Sequence, residues 1–390
     1  MIIKNVVRIY QWGYGKGAIR TPLYVFSIPA ETLASKAEIY KRTPYRRDGY
    51  QRDLKQSRLG KGKLGVAGYI LNQMGIFPTS ILVNIRREEG KIEFTEEMKL
   101  GDNISIGTLS IPDHVTWYII DGQHRLEGLK IAMREKEELS QYPFIVTLTN
   151  EDKFYEMLLF YIVNSRAKSV PTDLAYRILQ GMLRQVKAPQ WIEEELLKGA
   201  DRRKAIAAMI VDYLNFDPRS PFAGRIQEVG EPEKPNHITK DGTLTRYIAL
   251  VLRERMFQDM MYEKVAEVLI DYWNAIKEIW PNCFKNHRDY MLLSTLGLSV
   301  MHRLFPVIYG YCIREGNVTK EGMNKYLSFL LEPTPEHRDP DFKKPITEKW
   351  WHRVDGPGII RGTGEGHYAK IAEKMAEKIA IALRQKETKQ

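Results

Sequence analysis

Five consecutive residues hold the densest chemistry in the chain: Asp121, Gly122, Gln123, His124 and Arg125. A carboxylate, an imidazole and a guanidinium within five positions can orient and neutralise a charged substrate, and the glycine lets a ligand approach the backbone. His124 and Arg125 can bond phosphate oxygens. Asp121 can orient His124, hold a metal-bound water or cap a helix. This set makes a phosphate site if it lies where a helix begins, because the first amides of a helix have no internal partners and point outward.

The flanking residues predict that placement. Thr116 to Ile120 is β-branched and aromatic, as a buried strand should be, and from Leu126 the apolar residues Leu126, Leu129 and Met133 fall at helical spacing. A strand that turns sharply into a helix therefore carries the five residues. The same signals also allow a plain capped helix with His124 and Arg125 in solvent.

The whole chain sets the context. At 390 residues, with 28% charged and 43% hydrophobic side chains, it suits a globular protein of one large or two medium domains. Met1 to Ile9 is too short an apolar start for a signal peptide. The longest apolar run, near Leu292 to Met301, is interrupted by Ser and Gly and falls short of the ~20 residues that cross a bilayer. The expectation is a cytoplasmic protein with no membrane partner. Cys283 and Cys312 are too few for a disulfide framework or a zinc cage and read as buried thiols. The net charge of +10 points to a polyanionic partner.

Much of that charge is concentrated from Lys36 to Lys63, where Arg42, Arg46, Arg47, Arg52, Lys55, Arg58, Lys61 and Lys63 are candidates for contact with DNA or RNA. Tyr40, Tyr45 and Tyr50 are interleaved at intervals of five and could stack on exposed bases. The competing reading is a solvated basic segment whose tyrosines anchor it to the core.

Along the N-terminal half, Met1 to Ile28 reads as two strands around a turn at Gly13 to Gly17. Leu64 to Gln73 reads as a helix closed by Gly75, with an apolar strand ending at Val83. Glu88 to Gly101 reads as an acidic loop or hairpin, Asn103 to Ser110 and Phe144 to Leu148 as strands, and Asp152 to Val163 as a helix ending at Asn164-Ser165-Arg166. Further on, Thr172 to Arg184, Trp191 to Lys198, Arg202 to Leu214, Leu244 to Met261, Lys264 to Ile279, Tyr290 to Arg314, Glu321 to Leu331 and Tyr368 to Gln385 have helical spacing or composition. His287-Arg288-Asp289 has the letters of a kinase catalytic loop without the accompanying kinase motifs. Gly356 to His367 has the look of an anion-binding loop without a preceding strand or a Walker lysine.

Asp-Gly-Gln-His-Arg is the motif for which the DGQHR-domain family is named, and the chain resembles that family. It includes DndB-type components of DNA phosphorothioation systems and DpdB-type components of 7-deazaguanine DNA-modification systems, and it is similar to the ParB/sulfiredoxin fold. Tyr50-Gln51-Arg52, the helix from Leu64 and the stretch Gly75 to Val83, with Thr79 and Ser80, look like the first box of that fold. Asn164 and Arg166 match the third box, with Val163 where that box has a glutamate. Ser220 to Ile226 resembles a further family segment.

The resemblance implies an α/β (α+β) protein, with a ParB/sulfiredoxin-like nucleotide-binding domain over residues 1–175 and a mainly helical domain over 176–390. It implies binding and hydrolysis of a nucleoside triphosphate, ATP first, with Mg2+ on Asp121. Gly122, Gln123, His124, Arg125, Asn164, Arg166, Thr79 and Ser80 would hold the nucleotide, and Asp121, His124 and Arg125 would act in catalysis. The implied setting is DNA modification, with DNA, a transglycosylase that inserts 7-deazaguanine and a second copy of the chain as partners. Gln123 stands where sulfiredoxins carry their redox cysteine, which removes sulfinic-acid reduction. ParB proteins carry Gly-Glu-Arg-Arg there, so their base preference does not transfer. The alternatives are a non-catalytic DNA-binding regulator of DndB type and, with less support, a metal-dependent nuclease using Asp121, for which clustered carboxylates are missing.

Overall fold

The computed structural model describes residues 1–12, 20–43, 45–51, 54, 56–62, 65–73, 75–165, 172–183 and 199–387. The chain divides into two compact units, Met1–Lys198 and Gly199–Gln390. The fold is mixed α/β, with a sheet in the first unit and helices dominating the second.

The N-terminal unit is organised on an eight-stranded mixed sheet of order β3-β7-β4-β8-β2-β1-β6-β5. Its strands are β1 (Ile2–Trp12), β2 (Arg20–Pro29), β3 (Ala37–Glu38), β4 (Ile81–Asn84), β5 (Glu93–Gly101), β6 (Ile104–Ser110), β7 (Trp117–Asp121) and β8 (Pro143–Thr149). β1 and β2 form the expected antiparallel pair; the Gly13 to Gly17 turn lies outside the described residues. A register shift in β1 between Ile3 and Val6 coincides with Asn5 at φ 58°, a conformation asparagine tolerates better than most residues. β4 runs parallel to β8 and antiparallel to β7, so the strand leading into the five-residue motif is interior to the sheet.

The helices α1 (Ala30–Lys36), α2 (Gln56–Leu59), α3 (Val66–Asn72), α4 (Gln123–Met133), α5 (Lys153–Ser165) and α6 (Thr172–Leu183) complete this unit. Leu33 of α1, Ala67 of α3 and Leu126, Leu129 and Ala132 of α4 share one core with Phe26, Val83, Trp117, Ile119 and Val146. α3 and α4 cross closely at Gly128, where a Cβ would lie 2.4 Å from the Val66 Cβ. Trp117 to Ile120 are all buried, so β7 is covered on both faces and its apolar run has no polar alternation.

Of the two expectations for Glu88 to Gly101, loop or hairpin, the structure has the hairpin. The second part of the segment is the nine-residue edge strand β5, largely exposed and paired in a hairpin with β6. Charged side chains on an edge strand deter pairing with another chain, which is why the sequence leaves loop and hairpin open.

The C-terminal unit packs helices around one aromatic-rich core containing Trp273, Trp280, Phe305 and Trp351. Its main helices are Gly199–Phe216, Asp241–Val251, Tyr262–Ile279, Thr295–Glu315, Lys320–Leu327 and Glu365–Glu387. The expected Leu244 to Met261 helix is two, Asp241–Val251 and Arg255–Gln258, and the expected Tyr290 helix begins at Thr295 after Ser294. Trp191 to Lys198 lies outside the described residues. Among the described residues one helix, Thr295–Glu315, is long and apolar enough to cross a bilayer, and 67% of its most apolar window is buried inside this unit as core. Cys283 and Cys312 are buried free thiols, and burial raises their pKa values to about 12 and about 11.

Candidate functional site

The motif folds as its neighbours predict. Asp121 is the last residue of β7, Gly122 caps α4, and Gln123 is the first helical residue. Gly122 sits at φ 97°, in the left-handed region that disfavours a side chain. A Cβ there would also approach Ile81 Cδ1 to 2.5 Å and Arg125 Nη2 to 3.0 Å. Both the turn and the close packing therefore require glycine. The Arg125 and Leu126 amides close on the Gly122 carbonyl at 3.0 and 3.1 Å, and no side chain caps the helix. Asp121 is thus not the cap that the plain reading allowed.

Arg125 is latched rather than solvated. Nη2 donates to Asp121 Oδ2 at 3.0 Å, and Nη1 donates to the Thr79 carbonyl at 2.5 Å and to the Thr79 hydroxyl. Its side chain is 16% exposed while that of Asp121 is 45% exposed. Burial lowers the Arg125 pKa, and the neighbouring Asp121 opposes that shift. Ser80, next to Thr79, accepts a 2.8 Å bond from Thr147 of β8.

Gln51 reaches the same region from the basic segment. It is fully buried, and its Nε2 donates to the Ile119 carbonyl two residues before Asp121. That bond turns Gln51 Oε1 the other way, where it is buried with no hydrogen-bond partner among the described residues. Gln123 Oε1 is in the same condition. His124 is half-buried on the first turn of α4. Asn164 donates to the Phe160 carbonyl of its own helix at 2.9 Å, with no hydrogen bond to the turn. Arg166 lies outside the described residues. The structure therefore joins Thr79, Asp121 and Arg125, sets Gln51 against β7 at Ile119, and leaves Asn164 on α5.

The basic segment is anchored through its tyrosines. Tyr50 is 1% exposed and donates to Glu156 at 2.8 Å, so it has no face to offer a base. Tyr40 packs against Tyr50 and Tyr118, and donates to Asp48. Tyr45 alone of the three is fully exposed. Arg42 is buried and donates to the Arg47 carbonyl, which turns its guanidinium inward. Arg46 pairs with Glu38 at 2.5 Å and Lys61 with Glu135 at 2.6 Å, both near the surface. Arg47 and Arg58 are exposed. Arg52, Lys55 and Lys63 lie outside the described residues. Among the described residues of the segment, Tyr45, Arg46, Arg47, Arg58 and Lys61 lie at the surface, while Tyr50 and Arg42 do not.

Sequence reading missed the polar network that holds this segment down. Glu156 of α5 is fully buried and accepts from Tyr50, from Asn84 at 2.9 Å, and from Arg86 Nε and Nη2 at 3.1 and 2.8 Å. The Arg86 guanidinium lies over Tyr118 of β7 at 3.5 Å and Tyr40 at 4.3 Å. Burial works to lower the Arg86 pKa, and the bond and charge of Glu156 outweigh it and raise it. The legible signals were one glutamate in the apolar helix FYEMLLFYIV and an arginine leaving an apolar strand.

Among the described residues no group of three or more His, Cys, Asp or Glu side chains could hold a metal. Asp121 is accordingly a single carboxylate, already paired with Arg125. The Gly356 to His367 loop is filled by its own side chains: His367 Nε2 lies 2.7 Å from the Ile359 carbonyl, and Arg361 donates to the Val354 and Gly356 carbonyls. That packing removes the anion-loop reading.

These features define an α/β unit in which a glycine turn with an aspartate–arginine latch joins a central strand to a helix. Residues 17–179, which carry the turn, match the family model DndB, described as DNA-sulfur modification-associated. No curated protein and no solved structure matches the chain.

Proposed function

We propose that this protein works in a DNA-modification system, with DNA as its macromolecular partner, and that the Asp121–Arg125 turn binds and hydrolyses a nucleoside triphosphate, ATP in the first instance. The observation that carries this reading is the left-handed Gly122 turn into a helix start with no side-chain cap, with the Arg125 guanidinium held beside it by Thr79 and Asp121. Backbone amides there suit phosphate oxygens, and the unpartnered Gln123 oxygen on the first turn suits a donor of the nucleoside. Of the two modification chemistries, the description of the matched family favours sulfur. Partnership with a 7-deazaguanine transglycosylase rests on the sequence resemblance alone.

In this reading phosphate replaces Asp121 at Arg125 Nη2, and Arg125 with His124 stabilises charge developing on the transferred phosphoryl group. Asp121 is the one carboxylate of the turn that would hold a Mg2+ accompanying the nucleotide, since Mg2+ commonly uses one or two carboxylates in such sites, and the ion would neutralise phosphate charge. A lone carboxylate does not suit a two-metal nuclease.

A second reading, a DndB-type regulator that binds DNA without turnover, is favoured by the latch itself, because Thr79 and Asp121 already occupy the donors of Arg125. The test is a hydrolysis panel of ATP, GTP, CTP and UTP with and without DNA, run beside gel shifts at graded salt. Turnover lost in Arg125→Ala supports the first reading. DNA binding with no turnover of any nucleotide supports the second and removes the first.

A further inference from the structure

The C-terminal unit brings together segments that lie far apart in the chain. The Ile238 amide donates to the Arg225 carbonyl, and Ile226–Gln227 pairs in parallel with Thr239–Lys240. Arg225 Nη2 donates to the Phe284 carbonyl at 2.9 Å, which seats this ladder against the helix Pro281–Lys285 and the turn His287–Asp289 that follows. A second short ladder, with a bridge between Tyr290 and His352 and a 2.9 Å bond from the Arg353 amide to the Asp289 carbonyl, sets Arg353 beside Arg288.

These contacts enclose a cavity of about 220 Å³ whose lining includes Lys240, His287, Arg288, Arg353 and Glu233. Among the described residues Lys240, Arg288 and Arg353 form no ion pair, and the one carboxylate in the lining, Glu233, is exposed. Gathering three cations in one cleft against a single exposed carboxylate leaves a net positive potential and favours an anionic guest. Ser294, which begins the helix Thr295–Glu315, also lines the cavity. Its Oγ donates to the Met291 carbonyl, so the first amides of that 21-residue helix have no side-chain cap. Against this, Asp241 places a carboxylate at the start of the Asp241–Val251 helix, where it accepts from Thr245. That helix therefore contributes less. Burial and the charges of Arg225 and Arg288 depress the His287 pKa, consistent with a cationic surround.

We propose that this cavity is a phosphate-binding site, separate from the Asp121–Arg125 turn, in which Lys240, Arg288 and Arg353 hold a phosphate of a DNA backbone or of a free nucleotide. It gives a role to two segments that the nucleotide reading leaves idle, Ser220 to Ile226 and His287-Arg288-Asp289. The ladders supply the reason for both: each segment holds a cationic side chain in place by backbone bonds.

The test uses the full chain and the double variant R288Q/R353Q, whose side chains are exposed, with K240Q as a second variant if the first melts early. The probes are inorganic phosphate by calorimetry, ATP binding in an R125Q background, and a short DNA duplex titrated over a salt series. If the guest is DNA, duplex affinity falls and the log–log salt slope flattens by about 0.9, the step for the one phosphate no longer neutralised. If the guest is a small phosphate, phosphate and ATP binding weaken about tenfold or more with the duplex unaffected. Either result supports the site. Equal binding of all three probes by wild type and variants, or no binding of any by wild type, overturns it. The R125Q background keeps failure here distinct from failure of the nucleotide reading, which predicts loss in R125Q alone.

Discussion

Replacing Gly122 by alanine should destabilise the N-terminal unit by about 2–6 kcal/mol. A non-glycine residue held near φ 97° costs about 1–3 kcal/mol, and a methyl group forced to within 2.5 Å of Ile81 Cδ1 adds about 1–3 kcal/mol of overpacking. The two costs are independent to first order, because one is backbone strain and the other a side-chain clash. Against a typical stability of about 5–15 kcal/mol, the loss should be plain in urea unfolding. Tryptophan fluorescence gives the shift in midpoint, and limited proteolysis read by mass spectrometry assigns it to residues 1–198. The same methyl would press on the Arg125 guanidinium and loosen its bond to Asp121. A midpoint within error of wild type would refute both the left-handed turn and its packing on Ile81.

Glu156→Gln leaves the buried Arg86 charge with only the longer 3.9 Å pairing to Glu89 and should cost up to about 3–5 kcal/mol, measured as a drop in thermal midpoint. The double variant R86M/E156L should recover only part of that loss, since it removes the stranded charge but leaves the buried Tyr50 hydroxyl and Asn84 amide without the acceptor they share. His302 is buried, with a pKa pushed down to about 4 by burial. Its unfolded counterpart takes up a proton near pH 6.5, so the unfolded state binds more protons between pH 6.5 and 4. Stability is full above that window and is lost as pH falls through it, by an amount of the order of 3 kcal/mol. His302→Leu should flatten that acid-side slope in urea unfolding at graded pH, and an unchanged slope would exclude His302 as its source. Replacing Arg125 or His124 by alanine should slow nucleotide turnover by about 10²–10³-fold while circular dichroism stays unchanged. Unchanged hydrolysis in both variants would remove the site assignment.

The strand, turn and helix around Asp121 to Arg125 were legible because their signals are local: a β-branched run, a glycine and a helical apolar spacing. The partners of Arg125 and Gln51 were legible only in part. Sequence points to Thr79 as a nucleotide ligand, whereas its bonds to Arg125 span 46 residues and leave no trace in spacing. The tyrosines of the basic segment show the opposite difficulty. Their interleaving with arginine and lysine is what base stacking requires, yet the same alternation lets Tyr40 and Tyr50 fill the space over Tyr118 and Glu156 while Arg46, Arg47, Arg58 and Lys61 stay at the surface. Burial distinguishes the two, and burial depends on helix α5, far along the chain. The charge of the edge strand β5, which protects the edge, is what left loop and hairpin equally open in the sequence. The break after Val251 has no proline or glycine to announce it; the Leu252 amide already bonds to the Ile248 and Leu250 carbonyls as the turn tightens.

The central claim is that the turn after Ile120 receives a triphosphate. Calorimetric titration of the full chain with ATP and Mg2+ tests it directly, in wild type, R125Q and R288Q/R353Q. The account predicts saturable binding to wild type and a loss of about tenfold or more in R125Q, with a component surviving R288Q/R353Q. Equal affinity in wild type and R125Q, or no heat in any of them, would contradict it.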